Sequence, residues 1–348
     1  MDQPDKVLIT GGHEIGGLAS FAEALLEGFQ QLGVPCEIIS PTRIWHRWRE
    51  LRDPRVLKIL STTAVFAAPL SRRAICVSHG FPTAGIIGWK KFIGHLAADK
   101  VANRFRQVCV ATVSQYAAIH LRAILGVRVD AVVPNAVRQI FLDPPATYQQ
   151  RFLITYAGRL HPAKNLRLLL PSVIDLVEER PEVRACIIGD GPERATLEQI
   201  AKRHPRIEFT GPLDRTTLRH RLRETKVFVS GCPTEALGIT YLEALSQGCN
   251  VVMPAGGGGL EIAPQLIGSQ IQLVPLTLDR TSVSAAIRRA LAFEGRPINI
   301  ESYAPAAIAS AYLCVGEWLN KHGFSRMTTG APFVCCGRTS AWNDHGSE

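Results

Sequence analysis

The chain has 348 residues, 46% hydrophobic and 20% charged, a balance that supports two domains with ordinary cores and excludes a disordered or fibrous protein. Its net charge of +9 is concentrated: residues 43–106 hold thirteen Lys/Arg against three Asp/Glu, and the remainder is nearly neutral. No apolar run approaches the ~18–20 residues of a membrane span, and the polar start Met-Asp-Gln-Pro-Asp-Lys carries no secretory signal, so a cytoplasmic protein with one basic, anion-attracting surface is expected.

Short β-rich runs alternate with amphipathic stretches, the pattern of doubly wound α/β units. Lys6–Thr10 predicts the first strand, followed by Gly11-Gly-His-Glu-Ile-Gly-Gly17 and a helix from about Leu18 to Leu32. Further strands are expected at Cys36–Ser40, Ala74–Ser78, Val108–Val113 and Val129–Val133. Asp143-Pro-Pro-Ala-Thr-Tyr-Gln-Gln150 is polar and aperiodic and predicts a linker. A second α/β unit opens at Phe152–Ala157, with strands recurring at Ala185–Ile188, Ile207–Thr210, Val227–Ser230, Asn250–Met253 and Ile271–Val274. The expectation is two Rossmann-like doubly wound domains facing a central cleft. The first spans 1–145 and lies on the acceptor side, and the second spans 146–300. A helix over 301–322 follows, and a polar tail over 323–348 reads as disordered. Ligands of such sheets bind beyond the carboxyl ends of the strands.

The nine cysteines are an odd number without C-x-x-C or zinc-type spacing; Cys36, Cys76, Cys109 and Cys186 lie in apolar strand-like runs and read as small buried hydrophobes instead of a redox or metal set, and Cys335-Cys336 stands apart in the tail. There is no D-x-D, H-x-x-x-H, Walker A or G-x-S-x-G pattern, so no metal and no resident cofactor are expected. The basic patch lacks an aromatic RNA-binding signature, and no nucleic acid is expected as a partner.

Glu235 and Glu243 frame the segment Thr234-Glu-Ala-Leu-Gly-Ile-Thr-Tyr-Leu-Glu-Ala-Leu245. On a helix their spacing covers ~12 Å, too long for two carboxylates across one glycosidic bond and suited to the two ends of a nucleotide-sugar. Gly158-Arg-Leu-His-Pro-Ala-Lys-Asn165 follows the first strand of the second half, where Arg159 and Lys164 offset the charge of a diphosphate. The helix start at Leu237-Gly238-Ile239 offers bare backbone N–H groups to phosphate oxygens, and Gly238 allows close approach. Gly256-Gly-Gly-Gly259 before Leu260 reads either as a similar cradle or as a flexible loop. Gly16-Gly17 meets a helix start in the first half but does not form G-x-G-x-x-G. His79 stands just past a strand end and is a candidate ligand contact.

Taken in order, these motifs resemble the retaining glycosyltransferases of family 4, which have the GT-B fold. The likeness runs through Ile15-Gly-Gly-Leu18, His79-Gly80, Val133-Pro-Asn-Ala-Val137, Gly158-Arg-Leu160 with Lys164, Ile188-Gly-Asp-Gly-Pro192, Phe209-Thr-Gly-Pro212 and the E-x7-E segment. Ala136, Ala236-Leu237 and Asn250 depart from the family's more usual glycine, Gly-Phe and proline. The resemblance implies a nucleotide-sugar donor and a glycan or lipid-linked glycan acceptor, as in cell-envelope or exopolysaccharide synthesis. It implies that Glu243 binds the donor ribose and that Glu235 contacts the transferred sugar. Arg159 and Lys164 would grip the diphosphate, Gly16-Gly17 would close over the phosphates, and His79 would touch the sugar. Retention by same-face attack and independence from metal follow from the same likeness. A sugar-nucleotide epimerase or hydrolase of this type, or a non-catalytic anion-binding module, are the alternatives.

The stretch Arg43-Ile-Trp-His-Arg-Trp-Arg-Glu-Leu-Arg52 places Ile44, Trp48 and Leu51 at helical spacing, with arginines on the flanks. One reading docks this segment on an anionic membrane surface, peripheral at the inner face of the cell membrane. The other packs the tryptophans inward beneath solvated arginines.

Overall fold

The computed structural model describes residues 3–11, 17–80, 89–105, 108–144, 153–202, 204–322 and 333–334. The chain divides into two compact units, Met1–Arg138 together with Glu301–Glu348, and Gln139–Ile300. The division falls somewhat before the expected boundary at 145 because residues 139–144 are held by the second unit. Gln247 Nε2 donates to Phe141 O at 3.1 Å, and Arg219 Nη2 donates to Asp143 O at 3.2 Å.

In the first unit β1 (Lys6–Thr10), α1 (Gly17–Gln31), β2 (Cys36–Ile39), α2 (Trp48–Arg52), β3 (Val56–Ser61), β4 (Ala74–Ser78), α3 (Trp89–Arg104), β5 (Val108–Thr112), α4 (Gln115–Ala123) and β6 (Ala131–Val132) follow one another. Every pairing is parallel, in the order β6-β5-β4-β3-β1-β2, and Phe333–Val334 adds a short parallel strand beside β6. The rest of the expected disordered tail lies outside the described residues. β3 and β5 are buried along their whole length, as strands covered on both faces must be.

β3 is a correction to the sequence reading, which leaves Val56–Ser61 unassigned. Lys58 breaks the apolar run, yet its side chain is fully buried, and Nζ donates to Asp53 O at 2.6 Å and Arg72 O at 2.5 Å. Burial pulls its ammonium down to a pKa of about 7.

The basic stretch is not one helix. Ile44–Arg47 forms a 3-10 turn that leads into α2. Ile44 and Leu51 are buried in the core with Leu60, Val65 and Val110. Trp45 and Trp48 remain 47% and 55% exposed, so the tryptophans are not packed inward and Trp48 does not share the buried row.

The second unit carries β7 (Leu153–Ala157), α5 (Leu166–Glu179), β8 (Arg184–Ile188), α6 (Arg194–Ile200), β9 (Ile207–Gly211), α7 (Arg215–Glu224), β10 (Thr225–Val229), α8 (Ile239–Ser246), β11 (Asn250–Pro254), β12 (Ile271–Val274) and α9 (Arg280–Ala292). Leu166, Leu169, Leu170, Val173 and Val177 line one face of α5 and bury it against the sheet. The sheet order is β12-β11-β10-β7-β8-β9, all parallel. Chain order reverses between β7 and β10, and that switch point is where open α/β sheets bind ligands. The helix α10 (Pro305–His322) belongs to the first unit, where it packs along α1.

Candidate functional site

The loops that leave β7 and β10 are adjacent at the switch point, and the sequence ties them together. After β7 the chain runs through Gly158 and Arg159 into a 3-10 turn, Pro162–Lys164, ended by Asn165 in the left-handed conformation. Asn165 Nδ2 donates to Gly231 O at 3.0 Å and so fixes this loop to the one after β10. Lys164 Nζ then meets Glu235 Oε2 at 2.5 Å, with Cys232 Sγ at 3.8 Å. Burial works against the Lys164 charge, but Glu235 and the Cys232 thiol more than offset it and hold the ammonium above its ordinary range. Arg159 is exposed on the same loop, and Tyr156 Oη donates to its carbonyl at 3.0 Å.

Glu235 precedes α8 rather than lying on it, so the helical rise does not measure its distance from Glu243. Its backbone is clamped by the glycine run: Gly258 N donates to Glu235 O at 2.8 Å. Gly257 has φ +82, and a Cβ there would stand 2.8 Å from Glu235 O. Instead of a cradle open to an anion, Gly256–Gly259 is the backing that sets the Glu235 main chain.

Gly238 caps α8 with φ 85 and ψ 62, and a Cβ there would meet the Tyr241 ring at 2.4 Å. The glycine is therefore demanded by the fold itself, whatever approaches from outside. Tyr241 is buried and its hydroxyl donates to Ser230 Oγ at 2.9 Å, bracing the first turn of α8 against the end of β10. Leu237 is buried beside this start and Ile239 is the first helical residue. The leading N–H groups of α8 have no partner within the helix, which makes this end favourable for negative charge.

Glu243 is 2% exposed, and Arg215 Nη1 donates to its Oε1 at 3.2 Å. Arg215 is the first residue of α7, whose N-cap Asp214 accepts from Thr216 N and Thr217 N. Nothing in the sequence singles out Arg215 from the other arginines of α7; only the fold brings it to Glu243. Sequence reasoning misses Cys232 and Tyr241 as well, although both lie within a few residues of the two glutamates. Lys164, Glu235, Leu237, Gly238, Ile239 and Glu243 thus gather in one unit, with Arg159 on the Lys164 loop.

Gly17 and His79 belong to the first unit, and Gly16 lies outside the described residues. His79 follows β4 directly and sets its ring edge-on to the buried Phe21 at 4.3 Å and 71°. Among the described residues no group of three or more His, Cys, Asp or Glu is placed to hold a metal ion. Among them, too, no helix is long and apolar enough to cross a membrane.

Residues 138–304 match the family model described as "Glycosyl transferases group 1". Over 162 residues, 45% of this chain, the sequence is 31% identical to a human phosphatidylinositol N-acetylglucosaminyltransferase subunit. Over 113 residues, 32% of the chain, it is 38% identical to the sulfoquinovosyl transferase SQD2 of Arabidopsis thaliana. The aligned stretches span only 33% of the human protein and 21% of the plant one. Among solved structures, a glycosyltransferase involved in lipopolysaccharide biosynthesis, WaaG, superposes with a TM-score of 0.63 at 11% identity, over 93% of this chain and 100% of that one. Sucrose-phosphate synthase from Thermosynechococcus elongatus gives 0.63 at 15% identity, over 90% and 94%. These likenesses establish the fold, which is GT-B.

Proposed function

We propose that this chain, whose residues 138–304 match the family model of the group 1 glycosyl transferases, moves a sugar from a nucleoside-diphosphate donor to a glycan or lipid-linked glycan acceptor. The observation that carries the reading is the Lys164–Glu235 pair at the switch point, beside the start of α8 and in the same unit as the buried Glu243. In this reading Glu243 accepts from the donor ribose. Lys164, Arg159 and the leading N–H groups at Leu237–Ile239 hold the diphosphate, and Glu235 faces the transferred sugar.

The chemistry follows from where charge develops. The bond from the anomeric carbon to the diphosphate oxygen breaks, and negative charge grows on that oxygen next to Lys164 and Arg159. The acceptor oxygen bonds to the same face of the sugar, and its proton passes to the departing phosphate. Configuration is thereby retained, as in glycosyltransferases of family 4. Lys164 and Arg159 supply the positive charge that a metal would otherwise provide, so the reaction is metal-independent in this reading.

The human relative is named for phosphatidylinositol and N-acetylglucosamine, which supports a lipid-linked acceptor here. The exposed Trp45 and Trp48 among Arg43, Arg49 and Arg52 support the same conclusion. They form the face by which the first unit meets an anionic membrane surface from the cytoplasmic side.

Thermal unfolding with UDP, GDP and ADP tests the donor site. A nucleotide at 100 times its Kd raises stability by ~2.7 kcal/mol. One of the three is expected to shift the midpoint selectively; silence from all of them would overturn the reading.

A further inference from the structure

The 3-10 turn Ile44–Arg47 and its two caps sort their side chains into three rows. Residues i and i+3 eclipse in such a turn, and His46 N donates to Arg43 O at 3.1 Å. Ile44 begins the row that enters the core, and Trp45 and Trp48 form the row exposed to solvent. Arg43 and His46 form the third. With Arg47 and Glu37–Ser40 they line a pocket of about 410 Å3 at the carboxyl end of the edge strand β2.

The charges of this pocket are unevenly committed. Glu37 accepts from Arg47 Nη1 at 2.8 Å and from Lys6 Nζ at 2.8 Å, and these cations hold its carboxyl down to about 2. Glu50 also pairs with Arg47, at 2.5 Å, and with Lys6, at 3.4 Å. Two carboxylates and two cations therefore neutralise one another, Glu37 and Arg47 in the pocket wall and Lys6 and Glu50 beside it. Arg43 and His46 are exposed and make no ion pair among the described residues. The pocket thus offers an arginine fork and an imidazole N–H to an anion, beside a row of two exposed indoles.

We propose that this pocket takes the terminal phosphate of an anionic phospholipid, with Arg43 forking onto its oxygens and His46 adding a third donor. Trp45 and Trp48 seat at the headgroup level next to it. Arg49, whose guanidinium lies 5.4 Å from the Trp48 ring centroid, reinforces that row. The proposal rests on the membrane-facing reading above and deepens it: the surface recognises a headgroup instead of only a charge.

The experiment is co-sedimentation of the full chain with vesicles of phosphatidylcholine alone, with phosphatidic acid, and with a charge-matched amount of phosphatidylglycerol, whose phosphate is capped. Wild type is expected to bind phosphatidic acid vesicles most tightly. The double variant R43Q/H46N is expected to lose about tenfold or more toward phosphatidic acid, but no more than about fivefold toward phosphatidylglycerol, the size of one generic surface charge. W45S/W48S should weaken binding to both anionic vesicles. Equal losses of R43Q/H46N on both lipids, or no loss, overturn the proposal. So does binding of glycerol 3-phosphate by a protein that ignores all vesicles. The nucleotide-dependent thermal shift is measured on the same variants. If it persists while the lipid preference is absent, the pocket assignment fails alone; if it is absent from wild type, the donor reading fails by itself.

Discussion

Replacing Arg215 by Gln tests whether the buried Glu243 depends on a residue twenty-eight positions away. The carboxylate is 2% exposed and the guanidinium 35%, at 3.2 Å. Breaking a fully buried pair by removing one partner costs about 3–5 kcal/mol, whereas exposed pairs contribute roughly 0.2–1. This pair has one partner in each regime, so Arg215→Gln is expected to cost about 1–3 kcal/mol of unfolding free energy. Glu243→Gln should cost less, because an amide oxygen still accepts from Arg215. The double variant should fall short of the two single losses by about 1 kcal/mol, measured by urea denaturation of all four proteins. Calorimetric titration adds a functional readout. A charge-assisted hydrogen bond contributes about 1.5–3 kcal/mol. The nucleotide selected by the thermal screen should therefore bind roughly tenfold or more tightly than its 2′,3′-dideoxy counterpart. Both single variants should erode that preference. Strict additivity of the stability losses, within about 0.5 kcal/mol, together with an unchanged ribose preference, would refute the reasoning.

Lys58→Met should remove a pH dependence from the first unit. With its pKa lowered from 10.5 to about 7, the folded chain loses this proton before the unfolded chain does. Wild-type stability therefore rises between pH 7 and 10.5, by up to about 1.4 kcal/mol per pH unit from this group, and the difference from Lys58→Met in urea midpoints at pH 7 and 9 should show it. Parallel pH profiles would contradict the burial argument. Gly257→Ala places a Cβ 2.8 Å from the Glu235 backbone carbonyl oxygen at φ +82 and should shift the Glu235 main chain and its side chain with it, with a stability loss of about 2–3 kcal/mol and loss of sugar transfer. Gly268→Ala, at φ +87 with nothing within 4 Å, is the control that bears the backbone cost of about 1 kcal/mol alone. Equal effects of the two substitutions would mean that the glycine loop does not set Glu235.

The strands of both sheets are legible where both faces are covered, because such strands are continuous apolar runs: Leu153–Ala157 and Asn250–Pro254 are buried at every residue. Val56–Ser61 escapes for one reason. A lysine in mid-strand normally signals solvent, and only two backbone carbonyls contributed by other segments make its burial tolerable. The Arg43–Arg52 stretch suggests a period of 3.6 throughout, whereas its first turn has a period of three. That difference moves Trp48 from the buried row to the exposed one.

The donor loops show why residue types are easier to read than their geometry. Lys164 and Glu235 are each recognisable as charged groups after strand ends, but their contact depends on β7 and β10 being neighbours, which is a property of the reversal in strand order. The E-x7-E spacing suggests a helical ruler, yet four residues of the span precede Ile239 and follow a turn dictated by Gly238 and Tyr241. What positions Glu235 is distant in sequence: Gly258 holds its carbonyl and Lys164 its carboxylate. What positions Glu243 is Arg215, at the start of another helix. The two acids are therefore placed by separate supports. A change at Gly257 should move Glu235 while leaving ribose preference intact, and a change at Arg215 should do the reverse. That independence lets each end of a long donor be gripped by its own part of the fold.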